Sequence, residues 1–236
     1  MILAFETSAK AASVALLQKG KLLGESYQNT GLTHSQTLLQ MAEELLKTCG
    51  KTPQEVTAVA VAAGPGSFTG VRIGVAAAKG FAWGLEIPCV GVSTLEAMAE
   101  NLGIWRGFVV PTMDARRDQT YTALFHAEQG KLTRLEEDQA ISYAELAEKL
   151  KICQEPIFLV GDGAEICYNT LKETGNLVLP PEHRRHQRAA GVALVAEKRL
   201  ATGECPDGGS LTPNYLRLSQ AERERLEKQK EKEFLT

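Results

Sequence analysis

The residues from Ala62 to Gly84, AAGPGSFTGVRIGVAAAKGFAWG, are the first in this chain whose types and spacing could do chemistry. An apolar run ends in Gly64-Pro65-Gly66-Ser67, and a segment rich in small residues follows. A strand, a glycine turn and a helix in that order aim unpaired backbone N–H groups at whatever sits above the turn. The helix dipole adds partial positive charge there, and Arg72 could add a full one. Ser67 or Thr69 is a natural N-cap. The chemistry suggested is the holding of a phosphate. No Gly-Lys-Ser/Thr closes the turn as in a P-loop, and no G-x-G-x-x-G is present in it. A second reading is equally open: Gly70, Gly74, Ala77 and Ala78 form a small-residue surface on which another backbone can rest.

Other clusters are weaker. Glu6-Thr7-Ser8-Ala9 puts a carboxylate at the end of the first apolar run, where it could serve a metal indirectly; a structural hydrogen-bonding role is preferred. In MDARRDQTY, Asp114 beside Arg116 and Arg117 suggests an internal ion pair or a small anion site, with the structural reading favoured. VGDGAE places Gly161 and Gly163 on a strand-to-helix turn. The cations from His183 to Arg188 could touch RNA phosphates. They lack interleaved aromatics for base stacking, so a solvated loop is the preferred reading. His34 and His126 stand far from other ligand types. The five cysteines, Cys49, Cys89, Cys153, Cys167 and Cys205, have no metal-ligand spacing and read as packed thiols in a reducing setting. No G-x-S-x-G elbow supports a hydrolase.

The elements that position these groups follow from periodicity. ILAFET is a buried strand, and ASVALLQ and KLLGESY flank a Lys19-Gly20 hairpin turn. THSQTLLQMAEELLKTCG is a helix with Leu38, Leu39, Ala42, Leu45, Leu46 and Cys49 on one face, a Thr33/Gln36 capping box and a Gly50 stop. TAVAVAA is a strand buried on both faces, followed by a helix from near Thr69, the strand IPCVGV and the helix TLEAMAENL. The second half repeats the theme. FVVPTMDA, QTYTALFHA and KLTRLEE are strands, the last after a Gln129-Gly130 turn. SYAELAEKLKIC is a helix with a Ser142/Glu145 capping box, PIFLV leads into another helix, NLVLPP is a short strand, and 189–202 is the last firm helix. Two such halves suggest a duplicated α/β fold with mixed sheets. The expected lobes are residues 1–103 and 104–218, and 219–236 reads as a charged, solvated tail.

Composition bounds the function. With 44% hydrophobic residues, 23% charged residues and a net charge of −3, the chain is that of an ordinary globular protein without a body basic enough to grip nucleic acid alone. MILAFETSA lacks the basic and apolar regions of a signal peptide, and the apolar runs are too short to span a bilayer, so a cytoplasmic protein is expected, with no membrane contact.

Five segments carry a resemblance: ETSAKAASVAL at 6–16, HSQTLL at 34–39, AGPGSFTGVRIGVAAAKG at 63–80, MDARRDQTY at 113–121 and PNYLR at 213–217. On these the chain resembles the TsaB (YeaZ) family of bacterial tRNA threonylcarbamoyladenosine (t6A) biosynthesis. The resemblance implies an actin-like (ASKHA, ribonuclease H-like) α/β fold of two lobes, each a mixed sheet flanked by helices. It implies an accessory subunit without catalysis, cofactor or metal. Its partners would be the homologous transferase TsaD and the ATPase TsaE, with a homodimer when alone and only indirect or weak tRNA contact. In TsaD-like chains a His-x-x-x-His helix binds metal; here Thr94 and Met98 take those places, with Glu96 between them. Actin-like ATPases carry an Asp-x-Gly-Thr-type turn where this chain has Glu6-Thr7-Ser8-Ala9, so a remnant phosphate site would comprise Glu6, Thr7, Gly64, Gly66, Ser67 and Arg72. The expected partner interface joins the helices from His34 and Thr69, through His34, Leu38, Met41, Leu45, Gly70, Val71, Gly74, Ala77, Ala78 and Phe81. The alternatives are a nucleotide-using ATPase or kinase-like enzyme and, last, a protease-like hydrolase.

Overall fold

The computed structural model describes residues 1–103, 106–203 and 208–217. The tail expected at 219–236 and Cys205 lie outside the described residues. The first sheet contains β1 (Ile2–Glu6), β2 (Ala12–Gln18), β3 (Lys21–Gln28), β4 (Ala58–Gly64) and β5 (Cys89–Ser93). Their order is β3-β2-β1-β4-β5. β1 runs antiparallel to β2 and parallel to β4, and β4 runs parallel to β5. The Lys19-Gly20 turn has both residues at positive φ, 50° and 73°, which matches the twist of a tight hairpin.

Every residue of β1 and β4 is buried because helices cover both faces. Successive side chains of a strand point to opposite faces. Leu3, Phe5, Val59 and Val61 pack on α1 (His34–Thr48) and α2 (Phe68–Leu85). Ile2, Ala4, Ala58, Ala60 and Ala62 face the other way. The helix on that side is the last α-helix among the described residues, α7 (Ala189–Ala201), reached after α3 (Thr94–Glu100), α4 (Tyr143–Leu150), α5 (Ala164–Leu171) and α6 (Glu182–Arg185). α7 also lies close to α3, where a side chain at Gly191 would overlap the Ala97 carbonyl.

The second sheet contains β6 (Gly107–Arg116), β7 (Gln119–Glu128), β8 (Lys131–Ser142), β9 (Ile157–Val160) and β10 (Leu177–Val178) in the order β10-β9-β6-β7-β8. In each lobe the first strand pairs antiparallel with a hairpin neighbour and parallel with the strand that follows a helix. The two sheets are the same motif used twice, in a two-lobed actin-like α/β fold. The duplication is not carried through to the end of the chain. α7 packs on β1, β2 and β4, so part of the expected second lobe belongs physically to the first.

Local expectations divide. The Ser142/Glu145 box forms, with Glu145 N–H donating to Ser142 Oγ at 3.2 Å and Ser142 N–H donating to Glu145 Oε2 at 2.8 Å. The Thr33/Gln36 box does not: Gln36 N–H donates to the Thr33 carbonyl at 2.9 Å, and the threonine hydroxyl makes no cap bond. Leu39 is 56% exposed while Met41 is buried, because the inward stripe of α1 runs through positions 38, 41, 42, 45 and 46. Replacing Ser142 by alanine removes one reciprocal cap. It is expected to cost about 1 kcal/mol in a urea unfolding experiment, whereas Thr33→Ala should cost much less.

Candidate functional site

Where β1 ends, its backbone meets the start of α2. Ser67 N–H donates to the Ser8 carbonyl at 2.7 Å, and Thr7 Oγ1 donates to the Gly70 carbonyl at 2.8 Å. Ser67 is the N-cap of α2 and accepts from Gly70 N–H at 3.3 Å. An added Cβ at Gly66 would crowd Ser8, and one at Gly70 or Gly74 would overlap Thr7. The glycines therefore bring two backbones together. The Ser67 amide expected to face a phosphate already has a protein carbonyl opposite it.

Arg72 is likewise engaged. Its Nε donates to the Tyr215 hydroxyl at 2.8 Å, and its guanidinium lies 3.9 Å from the centre of the Phe68 ring. Phe68 and Tyr215 stack with ring centres 4.4 Å apart. These contacts belong to a strap formed by residues 208–217. Lys79 Nζ donates to the carbonyls of Gly209 and Leu211, each at 3.0 Å. Asn214 N–H donates to the Ala63 carbonyl at 2.6 Å, and Gly64 leaves room for Asn214 above it. Arg217 reaches the second lobe and donates to the Ala115 carbonyl. Nothing in composition or periodicity marks this strap; only PNYLR drew notice, and that through resemblance.

Between the lobes the strap borders a cleft of about 670 Å³, lined among others by Ser8, Lys10, His34, Asp114, Asp162 and Tyr215. His34 Nε2 bonds the Ala9 carbonyl at 2.8 Å, fixing the start of α1 to the cleft loop. Glu6 lies beneath the floor, fully buried. Its Oε1 accepts from Ser8 N–H at 2.6 Å, while Oε2 has no partner among the described residues. Burial lifts the Glu6 pKa from the usual 4.5 to about 7. The Ser8 groups lower it, and the like charge of Asp162 raises it further. The Asp162 carboxyl is also raised by its surroundings, against the bond that Gln187 Nε2 donates to it at 2.8 Å. No group of three or more metal-ligating side chains occurs among the described residues.

The remaining candidates take structural places. Asp114 forms no ion pair with Arg116 or Arg117; its Oδ1 accepts from Arg116 N–H at 2.7 Å in a turn where Arg116, Arg117 and Asp118 all have positive φ. Gly161 has φ 106°, and Gly163 N–H donates to the Thr112 carbonyl at 3.1 Å. Within His183 to Arg188, Arg188 pairs with Glu25, Arg185 with Glu165 at 4.0 Å and His186 with Glu182 at 3.8 Å. Thr94 and Met98 are fully buried in helix packing.

The expected interface residues separate by burial. Leu38, Met41, Leu45, Gly70, Val71, Gly74 and Ala78 are buried within the chain's own core, because the small and apolar stripes of α1 and α2 face the first sheet. They offer no surface to another molecule. His34, Ala77 and Phe81 remain half-buried.

Residues 28–225 match the family model described as "TsaD: tRNA N6-adenosine threonylcarbamoyltransferase". The TsaB of Bacillus subtilis is 34% identical over 233 residues, covering 97% of this chain and 99% of that protein. The chain belongs to the TsaB (YeaZ) family. The TsaB of Escherichia coli is also 34% identical, over 92% of this chain and 94% of its own. The solved structure of YeaZ from Pseudomonas aeruginosa superposes with a TM-score of 0.76 at 28% identity, over 91% of this chain and 99% of that one. No helix among the described residues is long and apolar enough to cross a membrane.

Because the Gly74 position abuts Thr7 Oγ1 and Val61, Gly74→Leu is expected to unfold the first lobe. Loss of the circular dichroism signal or a fall of the order of 10 °C in Tm would show it. A folded Gly74→Leu protein would contradict this packing.

Proposed function

We propose that the chain is a non-catalytic subunit of the t6A machinery, binding TsaD through the outer face of α1 and α2 and acting with TsaE in threonylcarbamoyl transfer to adenosine 37 of tRNAs reading ANN codons. Membership of the TsaB family supports the pathway, since its curated relatives are named as t6A biosynthesis proteins. The observation that carries the docking surface is the outward stripe of α2. Ala76, Gly80, Trp83 and Gly84 are all exposed at helical spacing, and Trp83 is 85% exposed. Leu39, 56% exposed on the neighbouring α1, adds another apolar side chain to that lobe's surface. Matching helices of a homologous partner would complete a four-helix packing, with exposed glycines permitting close approach. The same stripe would serve a homodimer in the absence of TsaD. In this reading tRNA is contacted indirectly.

Lack of catalysis is supported by the cradle at Ser67 being bonded to Ser8, and by threonine and methionine at 94 and 98. The cleft volume favours one other reading, a nucleotide-using enzyme. Calorimetric titration of the isolated chain with Mg-ATP separates the two, since tight binding would support the enzyme.

A Cβ at Gly80 meets nothing within 4 Å, so Gly80→Arg leaves the fold intact. Gly80→Arg and Trp83→Glu should each weaken TsaD binding by roughly tenfold or more while leaving Tm nearly unchanged. Undiminished co-purification of both variants would reject the surface. For the function itself, a purified t6A-forming system should lose synthesis when this chain is omitted and recover it on restoration. Equal synthesis without the chain would reject the accessory role.

A further inference from the structure

The cations from His183 to Arg188 have no aromatic residue among them in the sequence, and the fold supplies one. The end of β3 comes up against this segment. Tyr27, Asn29, Glu182, His183, His186 and Arg188 line a cavity of about 440 Å³ that shares no lining residue with the cleft between the lobes. Three of these six side chains are flat rings. The Arg188 guanidinium lies 5.4 Å from the centre of the Tyr27 ring, and its Nε donates to Glu25 Oε2 at 2.9 Å, which holds it in place. The Tyr27 hydroxyl, the Asn29 amide and the His183 ring make no hydrogen bond among the described residues.

Planar side chains with unspent hydrogen-bonding groups beside them suit a planar ligand with polar edges better than an aliphatic one. Tyrosine and histidine rings and guanidinium planes are the surfaces on which unstacked bases lie. An asparagine amide matches the donor and acceptor pair on an adenine edge. The volume is within the range of pockets that enclose a small ligand. Charge decides where the rest of that ligand lies. Glu182, 3.8 Å from His186 Nε2, repels an anion inside the cavity, and Glu25 neutralises Arg188. Arg184, next in the chain to His183, is exposed and forms no ion pair among the described residues.

We propose that this cavity takes the unstacked base of a nucleotide, against Tyr27, His183 and His186, with Asn29 reading its edge and the phosphate outside on Arg184. The nucleotide is either free or one residue of a single-stranded RNA, since both present the same base and phosphate. The site uses no residue of the α2 stripe, so it stands or falls separately from the TsaD docking surface.

Titration of the full chain at low salt and without magnesium, with AMP and with a short oligoadenylate as probes, tests the site. Tyr27→Ala should weaken binding roughly tenfold or more, whereas Tyr27→Phe keeps the ring and should stay within about threefold of the wild type. Asn29 and Arg184 are exposed, so Asn29→Ala and Arg184→Ala test the site even if Tyr27→Ala fails to fold. Asn29→Ala should weaken both probes, and Arg184→Ala should lower the salt slope of oligoadenylate binding by about one. Equal affinity for the two probes makes the ligand a free nucleotide; tighter, salt-dependent binding of the oligoadenylate makes it an RNA strand. Binding of neither probe would overturn the proposal. Binding that survives both Tyr27→Ala and Asn29→Ala would overturn it as well and move the nucleotide to the cleft.

Discussion

The contact on which the rest of the structure depends is the close approach of the Thr7-Ser8 backbone to the first turns of α2. Gly66, Gly70 and Gly74 make it possible, and the Ser67–Ser8 and Thr7–Gly70 hydrogen bonds fix its register. The Thr7–Gly70 bond is buried, so losing it would leave a polar atom unsatisfied. The contact sets the direction of α2 across the first sheet. It also sets where Phe68 and Arg72 stand to receive Tyr215, and so the path of the strap. Glu6 is buried for the same reason: the residues after it are held down by the helix that covers them.

The same five-strand motif is used twice, yet the lobes are not equivalent. The first carries an 18-residue helix after its fourth strand, and the second an 8-residue helix in the corresponding place. α7 then crosses back to cover the far face of the first sheet, where alanines line β1 and β4. The strap follows it and ends on the second lobe through Arg217. Chain connectivity thus ties the lobes twice, which makes the cleft a joint between bodies already linked rather than a gap between independent domains.

Much of this was legible in the sequence, and the failures have physical causes. Continuous apolar runs mark β1 and β4, and the Lys-Gly and Gln-Gly turns mark the β2–β3 and β7–β8 hairpins, because these are local signals. The return of α7 and the strap rest on contacts between residues far apart in the chain, which periodicity does not encode. The local shape of the GPGS turn fits a phosphate cradle and close backbone packing equally; what occupies it, the Ser8 carbonyl, is a tertiary fact. Seven of the ten expected interface residues are buried in the chain's own core for a related reason. Small residues permit close approach on whichever side they face, and spacing alone did not tell that Gly70, Gly74 and Ala78 face inward.

That distinction bears on the outer side of α2. Each glycine inside a helix costs about 1 kcal/mol relative to alanine. At Gly70 and Gly74 the cost is offset, since any larger residue would strike Thr7. At Gly80 and Gly84 a Cβ would meet nothing within 4 Å, and the left-handed position that ends the helix belongs to Glu86 instead. Packing and capping among the described residues therefore give no use for these two glycines. Beside them Trp83 leaves most of its ring in water, where it gains little from burial. Both costs are removed by one event, the close approach of another backbone to this stripe. Glycine thus serves the two sides of α2 differently: inward it seats the helix on Thr7, and outward it makes no contact among the described residues, which is the geometry the proposed docking surface requires.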